Sequence, residues 1–125
     1  MAYTYSVQRK NTNLTTTSYA TIATSATGDG SGSTHVVILN GQIFNEGTTA
    51  ETVLISFDGD VSVEWKIVLG GTAGAGANLP VLVADAGCHV RAKLESTGDV
   101  EVSVQYAEVT PFEAMQLLHN GARLA

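Results

Sequence analysis

A two-residue alternation of apolar and polar side chains dominates the second half of this chain. Residues 100–106 read V-E-V-S-V-Q-Y, and residues 88–94 alternate in the same phase, with the apolar side chains at even positions. Successive side chains of a β-strand point to opposite faces, so each segment predicts a strand with one buried and one wet face. Residues 53–57 and 61–69 repeat the pattern at odd positions. The alternation therefore favours a fold built from β-sheets.

Turn signals separate these strands. The sequence Ser-Thr-Gly-Asp at 96–99 predicts a hairpin, with glycine available for positive φ, so the strands on either side should be antiparallel neighbours. Asp58-Gly59-Asp60 predicts a tight turn, and glycine-rich stretches at 27–33 and 70–77 predict exposed loops. We expect about eight strands in an all-β antiparallel sandwich, jelly-roll-like, with a short C-terminal α-helix.

Three further segments complete the predicted strands. Residues 35–44 are apolar on both faces, which suits a strand covered on both sides or one with an oligomer contact on its outer face. Gly41 inside this segment suggests a bulge or a bend. Residues 15–24 are rich in Thr, Ser and Tyr, which favour β-structure, and residues 79–83 predict a short strand. Residues 11–13 predict a turn.

One helix is expected after the last strand. The motif Thr110-Pro111-Phe112-Glu113 is a capping box, in which Thr and Glu side chains each satisfy a backbone donor of the first turn. Gly121 stands where a helix ends in the left-handed conformation. We therefore predict a helix over 111–120, a sandwich domain over residues 1–109 and a helical appendage over 110–125.

Composition excludes several classes of function. The chain has 125 residues, enough for one compact domain, with six Lys and Arg against twelve Asp and Glu, for a net charge of −6. Nucleic-acid binding needs clustered cations, so it is not expected. The chain lacks the long apolar run of a membrane span, and its start lacks the apolar region of a signal peptide. One cysteine excludes an internal disulfide and a cysteine-built metal site.

The residue types that carry chemistry form no recognisable site. His35, His89 and His119 are far apart in sequence, and Asp58-Gly59-Asp60 supplies two carboxylates where calcium takes about six to eight oxygens. Cys88 and His89 are neighbours, but strand alternation sends them to opposite faces, so His89 cannot activate the thiol. The glycine-rich stretches match no phosphate-binding motif. We predict no catalytic, cofactor-binding or metal site, and no enzymatic activity.

Apolar side chains that fall outside the main apolar faces are candidates for contact with other chains. We expect self-association through them, because each would otherwise expose apolar surface to water. The helical members form a narrow stripe that either docks on a partner or covers the open end of its own sandwich. On the strands the candidates are Val37, with Leu39 and Ile43 on the same face, and Leu54 and Val68; on the helix they are Phe112, Met115 and Leu118.

The order of strands and turns over residues 35–109 carries a resemblance. An apolar strand at 35–45 is followed by a polar turn and by a strand that ends in Asp58-Gly59. The later segments are L-P-V-L-V at 79–83, D-A-G-C-H-V-R-A at 85–92 and V-E-V-S-V-Q-Y-A-E-V at 100–109. This layout resembles that of small β-sandwich virion structural proteins of tailed bacteriophages.

The resemblance implies a capsid decoration (cement) protein that packs on the shell and on copies of itself. Its partners would be the major capsid protein or other virion proteins, with neither nucleic acid nor membrane, and its location the virion, assembled in the host cytoplasm. The alternatives are a tail or fibre component involved in host attachment and a carbohydrate-binding β-sandwich module. Trp65 shares a face with Val63 and Ile67, which predicts core packing rather than a platform for carbohydrate.

Overall fold

Two largely antiparallel sheets pack face to face in the computed structural model, which describes residues 6–26, 31–61, 65–119 and 123–124. One short helix follows the last long strand within these residues. The predicted all-β sandwich with a short C-terminal helix is confirmed. The predicted loop at 27–33 and the predicted strand at 61–69 fall partly, and the predicted helix end at Gly121 wholly, outside the described residues.

The strands are short except for two central ones. In chain order the elements are β1 (Gln8–Leu14), β2 (Ala20–Ala23), β3 (His35–Asn45), β4 (Glu51–Ser56), β5 (Trp65–Leu69), β6 (Gly76–Leu79), β7 (Leu82–Val83), β8 (Val90–Leu94), β9 (Val100–Val109), α1 (Pro111–His119) and β10 (Arg123–Leu124).

Consecutive strands often lie in different sheets, which is the connectivity of a jelly roll. The six-stranded sheet has the order β1-β9-β3-β7-β10, with β6 also paired to β3, and the four-stranded sheet has the order β2-β8-β4-β5. The long strands β3 and β9 pair along almost their whole length in the middle of the larger sheet.

The apolar faces predicted from the alternation meet between the two sheets. Val102 and Val104 on β9 join Val53 and Ile55 on β4 in one core, and Phe57 is its largest fully buried side chain. Each fully buried Val, Ile or Phe stabilises the fold by about 1.5–3 kcal/mol relative to an exposed one. Trp65 is partly buried and packs against this core, as predicted.

The connection at 96–99 joins the two sheets, so the predicted hairpin is wrong. β8 pairs with β2 and β4, whereas β9 pairs with β1 and β3. A hairpin and a crossing between sheets both direct the apolar side chains of their two strands into one core. The alternation is therefore the same in both arrangements.

A register shift in β3 explains why its sequence is apolar on both faces. The pairing with β9 shifts between Ile38 and Asn40, beside the glycine that suggested a bulge. Val36 and Ile38 face the core before the shift, and Ile43 faces the same core after it. Ile43 is therefore a core residue, and its predicted outward position is wrong.

Three other predicted boundaries differ from the observed ones. β1 runs through residues 11–13, which were expected to turn, and is paired with β9 over its full length. β6 begins at Gly76, inside the stretch that was predicted as a loop. The strand predicted at 79–83 is divided between β6 and β7 around Pro80, because proline has no backbone N–H for a sheet.

The C-terminal segment packs on the sandwich. α1 begins at Pro111 and lies on the outer face of the six-stranded sheet, where Ala114, Leu117 and Leu118 contact the outward side chains of β3 and β9. β10 then pairs in parallel with β7 at the edge of the same sheet. Residues after 110 therefore cover part of the sheet and extend it.

Candidate interaction surfaces

The residues considered for chemistry have structural contacts instead. The ring Nδ1 of His89 accepts a hydrogen bond from the backbone N–H of Ser25 (2.8 Å), and His35 Nδ1 donates to the carbonyl oxygen of Ala84 (2.8 Å). Cys88 is buried. No group of three or more His, Cys, Asp or Glu side chains that could hold a metal ion occurs within the described residues.

The Asp58-Gly59-Asp60 segment forms the predicted tight turn. Asp58 Oδ1 accepts hydrogen bonds from the Ser56 hydroxyl (3.0 Å) and from the backbone N–H of Val61 (3.1 Å). Asp60 has a positive φ of 70°, next to Gly59 at 77°, and its carboxylate pairs with Arg91. Asp58 therefore stabilises the turn, and Asp60 anchors it to β8.

Helix α1 has the predicted capping box. The backbone N–H of Thr110 donates to Glu113 Oε1 (3.0 Å), and the N–H of Glu113 donates to Thr110 Oγ1 (3.2 Å). This reciprocal pair fixes where the helix starts and hence which of its faces meets the sheet. No helix within the described residues is long and apolar enough to cross a membrane.

The apolar residues of α1 divide between two faces. Ala114, Leu117 and Leu118 face the sheet, whereas Phe112 and Met115 keep 56% and 69% of their surfaces exposed. The two exposed residues line a shallow groove of about 260 Å³ together with Gln116 and His119. Of the predicted stripe, Phe112 and Met115 are therefore available to a partner, and Leu118 is partly covered by its own sheet.

Val37 is not available to a partner, so its place among the predicted interface residues is wrong. It is completely buried (0% exposed) in a cluster with Val83, Ala107, Val109 and Ala114 of the helix. Its side chain points out of the sandwich, as the alternation predicted, but α1 covers that part of the sheet. Burial beneath α1 therefore explains why an apolar side chain stands on the outer face of the sheet.

A second surface with exposed apolar groups lies on the outer face of the four-stranded sheet. Val68 is 70% exposed and Leu54 is half-buried there, each as predicted on the face away from the core. Leu54 pairs in register with Lys66 on one side and with Lys93 on the other. Apolar and cationic side chains therefore share this face.

Two cationic side chains of this face lie over the ring of Tyr19. The Lys93 Nζ atom lies 4.5 Å from the ring centroid of Tyr19, and the Arg91 guanidinium lies 5.9 Å from it. Burial, followed by the negative charges of Asp60 and Asp58, raises the pKa of Tyr19, and Arg91 opposes this shift. The raised pKa keeps the phenol neutral at neutral pH. The surface formed by Tyr19, Leu54, Lys66, Val68, Arg91 and Lys93 is called the basic face below.

Carboxylates collect at one end of the sandwich, around the β3–β4 and β8–β9 connections. Asn13 Nδ2 donates to Asp99 Oδ1 (2.8 Å) and to Glu101 Oε2 (3.4 Å), so one amide holds two carboxylates together. The backbone N–H of Glu46 donates to the carbonyl oxygen of Asp99 (2.9 Å). Phe44, which is 37% exposed, pairs in register with Glu101 on the outer face of the six-stranded sheet.

A buried carboxylate lies in the wall of a pocket at this end. Glu51 is 3% exposed, and its Oε2 atom has no hydrogen-bond partner among the residues that the structure describes. The carboxylate occupies the position where a Cβ atom on Gly98 would stand, 1.5 Å from Oε2. Only glycine at 98 leaves that room. The pocket has a volume of about 210 Å³, and the residues that line it are Asn45, Gly47, Thr48, Thr49, Glu51, Ser96, Thr97, Gly98 and Asp99; it is called the acidic pocket below.

Three residues of these surfaces were not identified as candidates from the sequence. Lys93 carried a signal, because the alternation of β8 places it on the wet face with Arg91, but Tyr19 is distant in sequence and its position follows only from strand pairing. Glu51 shares the odd-numbered, inward phase of Val53 and Ile55 on β4, so the alternation carried a signal for its position. That the connection at 96–99 covers it depends on the sheet crossing, which the sequence predicted as a hairpin.

Comparisons with known proteins show a shared fold. Neither the protein-family models nor the curated proteins include a match to this chain. Among solved structures, the chain is similar to a protein of the Bacillus endospore appendages, which form disulfide-linked pili, with a TM-score of 0.53 at 14% identity over 88% of this chain and 91% of that chain. A virus-like particle of the extra small virus of the giant freshwater prawn Macrobrachium rosenbergii gives 0.34 at 14% identity, over 83% and 80%.

Proposed function

We propose that this protein is a structural subunit that assembles with copies of itself into a particle or filament, and that it is not an enzyme. The observation that carries this proposal is the outer face of α1. Phe112 and Met115 are exposed there while the inner face of the same helix is buried. Large exposed apolar side chains that line a groove are typical of surfaces through which proteins associate.

The shared fold with a pilus subunit supports an assembling role. That protein belongs to a disulfide-linked pilus. This chain has one cysteine, and it is buried, so one thiol per chain would join two copies at most. We therefore propose that non-covalent contacts hold the copies together.

Within this class we propose a virion protein, specifically a capsid decoration (cement) protein that binds the major capsid protein and its own copies. The strand and turn layout of residues 35–109, which resembles small phage virion proteins, supports this assignment. Immunogold labelling of purified particles distinguishes the alternatives. Label over the whole head supports decoration, whereas label confined to the tail or its fibres would identify a tail component.

The association state of the purified protein tests the proposed function. We expect multimers by light scattering coupled to size-exclusion chromatography, and ordered particles or filaments by negative-stain electron microscopy. The double variant Phe112→Ser/Met115→Ser should weaken association at least about tenfold, because it removes apolar surface from the contact. Val61→Ser is the matched control, since Val61 is 83% exposed in the turn after β4 and is not part of the sheet that α1 covers.

Two results would contradict the proposal. One is a wild-type chain that stays monomeric at every concentration and salt condition tested. The other is a double variant that associates as strongly as the Val61→Ser control while remaining folded by circular dichroism.

A further inference from the structure

We infer that neighbouring copies contact each other through the basic face of one copy and the acidic pocket of the next, with a lysine side chain entering the pocket. This inference rests on the proposed function and names a second contact between copies, besides the outer face of α1. The occupant of the acidic pocket is thus a second copy of this chain.

The basic face concentrates positive charge in an acidic protein. It holds Lys66, Arg91 and Lys93, three of the six Lys and Arg in a chain with a net charge of −6. Arg91 is neutralised by Asp60, but the contact of Lys66 with Glu95 is 3.6 Å long between side chains 60% and 58% exposed, and such pairs are weak. Within the described residues Lys93 lies over the Tyr19 ring without an ion pair.

Among the described residues, no cation pairs with the carboxylates of the acidic pocket. The ion pairs among the described residues join Lys66 to Glu95 and Arg91 to Asp60, and neither includes Glu51, Asp99 or Glu101. The unpartnered Oε2 atom of Glu51 is the stronger indication of a bound cation. A buried carboxylate without a partner costs free energy, and a cation bound beside it would offset that cost. A lysine ammonium is a compact cation on a flexible apolar stem, which suits an opening between two loops.

The positions of the two surfaces determine how copies would be arranged. The basic face is the outer surface of the four-stranded sheet, and Phe44 and Glu101 mark the outer surface of the six-stranded sheet beside the acidic pocket. The acidic pocket itself lies at the end of the sandwich: its residue Glu51 precedes Thr52, the strand partner of Val68, and its residue Ser96 follows Glu95, which pairs with Lys66. The two surfaces are therefore adjacent but distinct. A contact between two different patches either repeats from copy to copy, as in a ring or a filament, or is made twice in a two-fold pair. Two basic faces placed together would instead oppose like charges.

Charge reversal tests the contact. Lys66→Glu changes an exposed residue of the basic face, and Asp99→Lys changes an exposed residue of the acidic pocket, so both variants should fold. Each should weaken association at least about tenfold by light scattering, and wild-type association should weaken as salt rises from low to high concentration. Arg9→Glu, the same charge change on an exposed residue outside both surfaces, should leave association unchanged.

Mixing the two variants is the decisive measurement. A 1:1 mixture of Lys66→Glu and Asp99→Lys presents opposite charges at every heterologous contact, so association should recover to near the wild-type level. Failure of the mixture to associate, or single variants as strongly associated as Arg9→Glu, would overturn this contact and leave the proposed function standing. Association that a chelator abolishes would assign the pocket to a metal ion instead. A wild-type chain that never associates would overturn both proposals.

Discussion

The acidic pocket contains a buried residue that destabilises the fold. Glu51 is buried with an unpartnered carboxylate oxygen, and the chain accommodates it only because residue 98 has no side chain. Proteins often retain a destabilising group where it serves binding, at a cost in stability that substitution can remove. The isolated subunit should therefore be less stable than the same fold with an uncharged side chain at position 51.

We predict that Glu51→Gln stabilises the isolated subunit. The amide keeps the shape of the side chain and removes the buried charge, so the free energy of unfolding should rise by about 1–3 kcal/mol. Urea unfolding at low protein concentration, where copies are separated, measures this change. Glu95→Gln is the control, because its carboxylate is exposed and its replacement should change stability by less than about 0.5 kcal/mol. A lower stability for Glu51→Gln would mean that the carboxylate has a partner in the isolated subunit.

At the scale of elements, α1 has two apolar sides, of which one packs on the sheet and the other faces solvent. Ala114 is 3% exposed against Val37 and its neighbours, and Met115, the next residue, faces solvent. Ala114→Glu should lower the free energy of unfolding by about 2 kcal/mol or more, because it places a larger, charged side chain in a packed contact. Met115→Glu should change stability by less than about 0.5 kcal/mol.

Urea unfolding of the two variants, side by side, distinguishes the faces of α1. Both substitutions introduce the same side chain one residue apart, so helix propensity and net charge are matched. Equal losses of stability would show that α1 does not pack on the sheet through Ala114.

The strands could be predicted from the sequence, but their partners could not. The alternation at 88–94 and 100–106 identifies β8 and β9 because burial of one face leaves a period of two, whichever strand lies alongside. Pairing is decided by contacts between residues far apart in sequence, so the sheet crossing at 96–99 was mistaken for a hairpin. The register shift in β3 exchanged the faces of the residues after it, which placed Ile43 wrongly.

The candidate surfaces were predictable to the extent that they lie on one element. The capping box and the spacing of Phe112 and Met115 identified an apolar helix, and both residues are exposed. The sequence could not show what covers Val37, because an outward apolar side chain gives the same pattern whether a helix or another chain packs on it. The acidic pocket joins loops that are distant in sequence, and no local pattern indicates it.

At the scale of the whole molecule, the C-terminal segment contributes to the fold itself. α1 covers Val37, Val83 and Val109 on the outer face of the six-stranded sheet, and β10 adds a strand beside β7. Exposure of a buried valine costs about 1.5–3 kcal/mol, and a domain of this size is stable by only about 5–15 kcal/mol. Loss of the segment should therefore remove a large part of the stability.

We predict that a chain ending at Thr110 is strongly destabilised and exposes apolar surface. Its free energy of unfolding, measured in urea, should fall by several kcal/mol. It should also bind more of a hydrophobic dye than the full chain binds. The double variant Phe112→Ser/Met115→Ser is the control, because it alters the exposed face of α1 and leaves the covered valines in place. A truncated chain as stable as the full one, without dye binding, would show that α1 and β10 are separable from the sandwich.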